Sequence, residues 1–278
     1  MPRTTPALGA SGRFPGAAAG AQIDPAWQPW LDLLEIVEDG SSDPPWSASV
    51  TPPAERAEGA PLLHGAHIGM NMLRARELVR RLADSAGIAD AGDVDPGELI
   101  RAAIGRDAAT LAGMAESIAV PHDFLTVIAQ MASMPLLRLA ARTLGADAAR
   151  AWRRGYCPVC GAWPSLVEMR GIERERHLRC GLCAADWQLP VLSCAFCAEM
   201  DHQRLGWLVP EGEGEHRRVE TCESCHGYLK VVTTLGALPF RVLATEDLAT
   251  VPLDLAAQDR GYSRPSTPGW APRIGFVS

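Results

Sequence analysis

Residues 157–183, CPVCGAWPSLVEMRGIERERHLRCGLC, and residues 194–225, CAFCAEMDHQRLGWLVPEGEGEHRRVETCESC, together hold every cysteine of a 278-residue chain. The eight cysteines form four C-x-x-C pairs: Cys157/Cys160, Cys180/Cys183, Cys194/Cys197 and Cys222/Cys225. A tight turn points both sulfurs of such a pair to one side. Two such turns complete a tetrahedron around one metal ion, with metal–sulfur distances near ~2.3 Å for zinc. Four pairs therefore imply two four-sulfur sites.

The segments between the pairs suggest how they group. Between Cys160 and Cys180 lie two strand-like runs, Trp163–Met169 and Glu175–Arg179, and between Cys197 and Cys222 lie Leu205–Val209 and Arg217–Thr221. Each couple of runs can fold as a hairpin that brings its flanking turns together, giving two tandem ribbon-like modules. The stretch after Cys183, through a short strand at Asp186–Pro190, then joins them. An interleaved arrangement, first turn with third and second with fourth, is the alternative. A disulfide framework belongs to small secreted chains. A thioredoxin-like pair needs one C-x-x-C at a helix start, not four in ribbon spacing. Four thiolates suit zinc or a single iron, and spacing does not choose between them.

Upstream of Cys157 there is no cysteine and the pattern turns helical. Asp24-Pro25 is a cap followed by a first-turn proline, and Trp27, Trp30, Leu31, Leu34 and Val37 recur at helical spacing as far as Gly40. A second helix is expected over about 67–84, on Ile68, Met72, Ala75, Val79 and Leu82. Asp95-Pro96 starts a third with Leu99, Ile100 and Ile104, and a fourth covers 107–118. Pro121 opens a long apolar helix that Pro135 is expected to kink or break, with Gly145 ending the second piece. The Trp27/Trp30 pair is read as core packing. The fold class is α+β: an N-terminal helical domain, two tandem rubredoxin-like or zinc-ribbon metal modules, and a short C-terminal helical tail. The expected boundaries are a disordered tail at 1–24, a helical domain at 25–150 containing a Pro-rich linker at 41–60, ribbon modules at 151–190 and 191–234, and a C-terminal extension with a short helix at 235–278.

Composition narrows the function classes. Hydrophobic residues make up 47% and charged residues 21%, an ordinary globular balance that excludes wholesale disorder. The net charge of −7 argues against a protein that coats nucleic acid or anionic membrane. The longest strongly apolar stretch, Phe124 to Leu137, falls short of the ~20 residues a spanning helix needs. With no compact apolar leader at the N-terminus, the expected location is the cytoplasm.

The C-terminal half resembles the FdhE family, accessory proteins for the assembly of formate dehydrogenase. The likeness lies in Cys157-Pro158-Val159-Cys160-Gly161, in Arg179-Cys180-Gly181-Leu182-Cys183 with Ala185-Asp186-Trp187, and in Cys194-Ala195-Phe196-Cys197. It continues through Cys222-Glu223-Ser224-Cys225, Tyr228-Leu229-Lys230, Glu246-Asp247-Leu248-Ala249, Leu253-Asp254-Leu255 and Gly261-Tyr262-Ser263-Arg264. It covers about 150–270 with specific motifs. His226 stands after the last cysteine where glycine is often found, so a distorted turn is expected there. The resemblance implies a cytoplasmic, non-enzymatic chaperone that binds the catalytic subunit of formate dehydrogenase before twin-arginine export. It also implies iron or zinc at two four-cysteine sites. The eight cysteines are the candidate ligands; no catalytic residue is assigned, and homodimerisation is left open.

Other chemistry is sparse. No Walker loop, G-x-S-x-G, G-x-G-x-x-G or HExxH occurs. His64, His67 and His122 lie in the cysteine-free half; His177, His202, His216 and His226 lie among the modules, and His226 is read as a bystander. Lys230, the sole lysine, is read as the exit of the ribbon, and Arg153-Arg154 as surface residues. Glu211, Glu213 and Glu215 form an acidic hairpin tip. A zinc-ribbon nucleic-acid protein is the rival reading, but residues 151–234 hold ten basic and eleven acidic residues, so a basic face is lacking. A small iron redox protein is the third reading.

Overall fold

The computed structural model describes residues 12–14, 23–42, 49–88, 94–211 and 216–277. Much of the expected N-terminal tail, part of the Pro-rich linker, and Glu213 and Glu215 lie outside these residues. Within the tail region a short strand, β1, spans Gly12–Phe14. Asp24 caps a single 3-10 turn over Pro25–Trp27, its carboxylate accepting the Ala26 N–H at 2.9 Å. Helix α1, Gln28–Ser42, follows and runs through Gly40, two residues past the expected end. Strands β2, Val50–Thr51, and β3, His67–Gly69, pair antiparallel.

Helix α2 spans Met72–Ser85, five residues later than its expected start. The Asn71 side chain caps the N–H groups of Leu73 and Arg74, and Ile68, expected on this helix, sits fully buried on β3 instead. Helix α3, Pro96–Gly105, starts at Asp95 as expected, and α4 covers Ala108–Ser117 behind its Asp107 cap. Helix α5, His122–Ala151, is one unbroken helix of 30 residues that contains both Pro135 and Gly145. A proline removes one backbone hydrogen bond. Here the buried row Leu125, Ile128, Leu136 and Leu137 keeps the helix in place, each side chain contributing about 1.5–3 kcal/mol by burial. Over His122–Gly145, α5 is long and apolar enough to cross a membrane, contrary to the expectation from sequence, yet 56% of its apolar window is buried inside the protein. It is the axis of the helical half, touching α1, α2, α3 and α4.

The cysteine half is a single sheet. Strands β4 (Leu166–Arg170) and β5 (Glu175–Arg179) form the first hairpin, and β6 (Asp186–Gln188) adds to β5. Strands β7 (Leu205–Pro210) and β8 (Arg217–Cys222) form the second, and β9 (Tyr228–Thr234) returns against β8. On its other side β9 pairs in parallel with β4, Lys230 opposite Leu166. The order is therefore β1-β7-β8-β9-β4-β5-β6, and the two ribbons are fused edge to edge. Helices α6 (Phe240–Ala249) and α7 (Val251–Gln258) cover one face, two helices where a single short one was expected. A last strand, β10 (Gly275–Val277), lies parallel to β3 and ties the C-terminus to the helical half.

Charged side chains fasten α6 and α7 to the sheet. Lys230 is 2% exposed, and its ammonium lies 2.7 Å from both Asp247 of α6 and Asp254 of α7. It is a clamp between elements, not a simple exit from the ribbon. Asp254 also accepts the Tyr228 hydroxyl at 2.9 Å, and Arg217 grips Glu246 through two nitrogens. Fully buried Glu168 pairs with Arg170 and Arg179, and Arg179 donates on to the Leu238 carbonyl before α6. Removing one partner of a buried pair strands the others. Lys230→Met is expected to lower the unfolding free energy by about 3 kcal/mol, read as an earlier urea midpoint; an unchanged midpoint would show that the clamp carries no stability.

Two four-cysteine centres

All four C-x-x-C turns share one backbone design. The N–H of the first cysteine donates to the carbonyl five residues on: Cys157 to Ala162 at 2.8 Å, Cys180 to Ala185 at 3.0 Å, Cys194 to Glu199 at 2.8 Å and Cys222 to Gly227 at 3.0 Å. The residue after the second cysteine is left-handed in every turn: Gly161 (φ 74°), Ala184 (φ 62°), Ala198 (φ 59°) and His226 (φ 53°). N–H groups inside the turns point at sulfur, Val159 to Cys157 Sγ at 3.4 Å and Phe196 to Cys194 Sγ at 3.4 Å. The turn at His226 is therefore not distorted. It takes the shared shape, at the steric cost a β-carbon brings in that region.

The hairpins bring the turns together in the non-interleaved arrangement. Cys157, Cys160, Cys180 and Cys183 form one group and Cys194, Cys197, Cys222 and Cys225 the other, with all four sulfurs of each group within 4.8 Å of one another. Cys157 Sγ lies 3.4 Å from Cys183 Sγ, and Cys160 Sγ 3.5 Å from Cys180 Sγ. In the second group the distances are 3.7 Å for Cys194–Cys225 and 3.7 Å for Cys197–Cys222. Four sulfurs at ~2.3 Å from a tetrahedral centre would stand about 3.8 Å apart, so both groups fit a metal ion bound by four thiolates. None of the seven histidines joins either group.

The thiols' own chemistry points the same way. Burial pushes Cys157 and Cys183 well above the ordinary thiol value, while hydrogen bonds from Cys157, Cys180 and Cys183 hold Cys160 well below it. Full ionisation needs a cation at the centre. In the second cluster burial pushes Cys194 up, and lifts Cys225 to about 12. Cys222 lies below its ordinary value: burial pushes it up, but hydrogen bonds from the Cys225 and Ser224 N–H groups and with the Cys197 and Cys194 thiols together outweigh that.

The centres differ in cover. All four cysteines of the first are buried, whereas Cys197 and Cys225 of the second are exposed. The helical half and the C-terminal segment account for the contrast. Leu62 and Leu63 donate their N–H groups to the Pro158 and Val159 carbonyls, at 2.8 and 3.1 Å. Arg106, left-handed at the end of α3, donates to the Cys160 carbonyl at 3.0 Å and to the Trp270 carbonyl at 2.7 Å. The Trp270 backbone lies so close to Gly161 that a β-carbon there would stand 2.6 Å from its carbonyl oxygen, so glycine is required by space as well as by φ. The second centre has lighter cover: Trp163 stands edge-on to Phe196 at 5.2 Å between ring centroids, and the C-terminal segment holds the fourth turn. Ser263 donates to the His226 carbonyl at 2.8 Å, and the Tyr262 hydroxyl donates to Glu223. Arg264 reaches back to the Pro164 and Ser165 carbonyls and lies over the Tyr228 ring. Gly261–Arg264 thus links the two modules. Arg106 and Trp270 carried no cysteine-like signal in the sequence. Their role follows from contacts across 54 and 164 residues of chain.

A helical half fused to paired four-cysteine ribbons defines the class of protein. Residues 192–268 match the family model described as FdhE, C-terminal domain. An FdhE homologue of Aquifex aeolicus is 33% identical over 114 residues, which is 40% of this chain and 40% of that protein. The FdhE protein of Escherichia coli O127:H6 is 32% identical over 116 residues, 41% of this chain and 37% of that one. These matches thus span well under half of the relatives' length. The crystal structure of the FdhE protein from Pseudomonas aeruginosa aligns over 84% of this chain and 85% of that one, at a TM-score of 0.54 and 26% identity. Residues 192–268 thus match an FdhE C-terminal domain, and over most of its length the chain is similar in fold to an FdhE protein.

Two outcomes follow from the geometry. His226→Gly is expected to raise the unfolding free energy by about 0.5 kcal/mol, measured by thermal denaturation of the metal-loaded protein. A cation bound at either centre would displace thiol protons, so acidification would reverse its binding. Zinc titrated out from pH 8 towards pH 5 with a chromogenic chelator should leave the half-open second centre before the buried first one; simultaneous loss would show that cover does not set the order.

Proposed function

We propose that the chain is a non-enzymatic accessory factor for the maturation of formate dehydrogenase, acting in the cytoplasm on the catalytic subunit before twin-arginine export. The observation that carries this reading is the fused double ribbon with two clusters of four converging thiols, in a chain similar in fold to an FdhE protein. In this reading Cys157, Cys160, Cys180 and Cys183 hold one iron or zinc ion, and Cys194, Cys197, Cys222 and Cys225 hold the second. With four thiolates, each ion has no open position for substrate, which suits a structural centre. Closing such a site contributes on the order of ~10 kcal/mol to folding for zinc, so the ions serve to shape the surface that meets the client.

The domain reading assigned to this function is a helical domain at 25–150, ribbons at 151–190 and 191–234, and a C-terminal extension at 235–278. The helical domain and the extension would brace the first ribbon and leave the second to face the client. The near-neutral ribbon half offers little for a nucleic-acid backbone, which disfavours that alternative.

The test pairs metal with client. Wild-type protein purified anaerobically should carry two metal ions per chain and retain a purified formate dehydrogenase catalytic subunit that still bears its signal. Cys222→Ser should carry one ion and lose most of that retention. Two ions in the variant would refute the ligand assignment, and no retention by the metal-loaded wild type would refute the client.

A further inference from the structure

Along β7, β8 and β9 side chains alternate between two faces. Leu208, Val219 and Tyr228 pack under α7 against Leu253 and Ala257. The opposite face carries Leu205, Trp207, Arg218, Glu220 and Leu229 and opens into a cavity of about 700 Å³ beside the second cysteine centre. Its rim includes Val191, Leu192 and Trp207, which are 52%, 56% and 50% exposed. Three large apolar side chains at the mouth of one groove form a surface that burial would stabilise.

Two further observations define what fits there. First, the outer edge of β7 already takes an extended strand: β1 lies parallel to it, Gly12–Phe14 opposite Leu208–Pro210. Among the described residues no strand pairs with Leu205–Trp207 on that side. The Arg204 carbonyl accepts from Glu223 at 2.8 Å on the β8 side, so ladder alternation turns Leu205 and Trp207 to the outer edge. There the Leu205 N–H closes on the His202 carbonyl and the parallel pairing with Gly12 takes up the Trp207 carbonyl, which leaves the Leu205 C=O and the Trp207 N–H for a further strand. Second, the floor is unbalanced in charge. Arg176 is 2.7 Å and Arg218 3.9 Å from the single carboxylate of Glu220. Neither Arg176 Nε nor Arg218 Nε has a hydrogen-bond partner.

We propose that this groove docks an extended apolar segment of a partner protein that carries a carboxylate and adds as a strand beside Leu205–Trp207. The main chain of the segment completes the free edge of β7. Its apolar side chains cover Val191, Leu192 and Trp207, and its carboxylate balances Arg218. Cys194, Ala195, Phe196 and Cys222 also line the groove, so its shape depends on the second centre. The proposal deepens the client-binding reading above and rests on it.

The probe is the purified formate dehydrogenase catalytic subunit, with affinity measured by biolayer interferometry on the full-length, metal-loaded chain. Val191→Asp combined with Leu192→Asp changes only exposed rim residues; it should keep two metal ions and weaken binding at least tenfold. Arg218→Gln should weaken it several-fold and flatten its salt dependence. Benzoylphenylalanine placed at Trp207 should cross-link to one extended, acid-containing stretch of the subunit. Wild-type affinity in the rim variant, or cross-links scattered over a folded surface, would overturn the groove while leaving the client assignment standing. Absence of any binding by wild type would overturn both. A dimer of the free chain that the rim variant dissolves would also overturn the proposal, because the groove would then serve a second copy of this chain.

Discussion

Four sulfurs meeting within 4.8 Å are the constraint on which the cysteine half depends. Buried thiols at that spacing cannot all ionise in the absence of a cation, and four neutral thiols offer each other little. Every turn that delivers them is therefore built to favour one outcome. A first-cysteine N–H closes on the carbonyl five residues later, internal N–H groups face sulfur, and a left-handed residue turns the chain away. The strain accepted at Ala184, Ala198 and His226 is small beside the energy of a thiolate–metal centre.

Pairing of β9 with both β8 and β4 turns two ribbons into one body. Because β9 leaves the fourth turn and enters the first module, a disturbance at Cys222 reaches the edge of β4 through a continuous ladder. The motif residues of the tail then acquire a physical reason. Glu246, Asp247 and Asp254 hold Arg217 and Lys230, and Arg264 binds the carbonyls that precede β4. They fasten the sheet. The acidic residues around Lys230 also explain why a lone lysine can be buried: it is paired twice and hydrogen-bonded to the Asp247 carbonyl.

The two centres share a turn but not an environment. The first is part of the continuous core that runs from α5 into the ribbon, roofed by residues 62–63, Arg106 and Trp270. The second borders a groove and exposes two sulfurs. A buried centre suits permanent structure, while one beside an open apolar surface can link metal occupancy to binding.

Spacing alone determined that eight cysteines form two groups of four, and hairpin logic paired the turns correctly, because both depend on residues close in the chain. Capping at Asp24 and Asp95 was legible for the same reason. The helix expected from 67 began at Met72, because pairing with β2 and β10 holds Ile68 in a strand, and no local pattern reports partners so far away. Tertiary packing likewise decided that α5 passes through Pro135 and Gly145, as the apolar row buried against its neighbours outweighs one missing hydrogen bond. The fusion of the ribbons, the roof over the first centre and the open groove at the second rest on contacts between distant segments. Local sequence dictates how a turn presents its sulfurs; only the folded chain decides which of them water can reach.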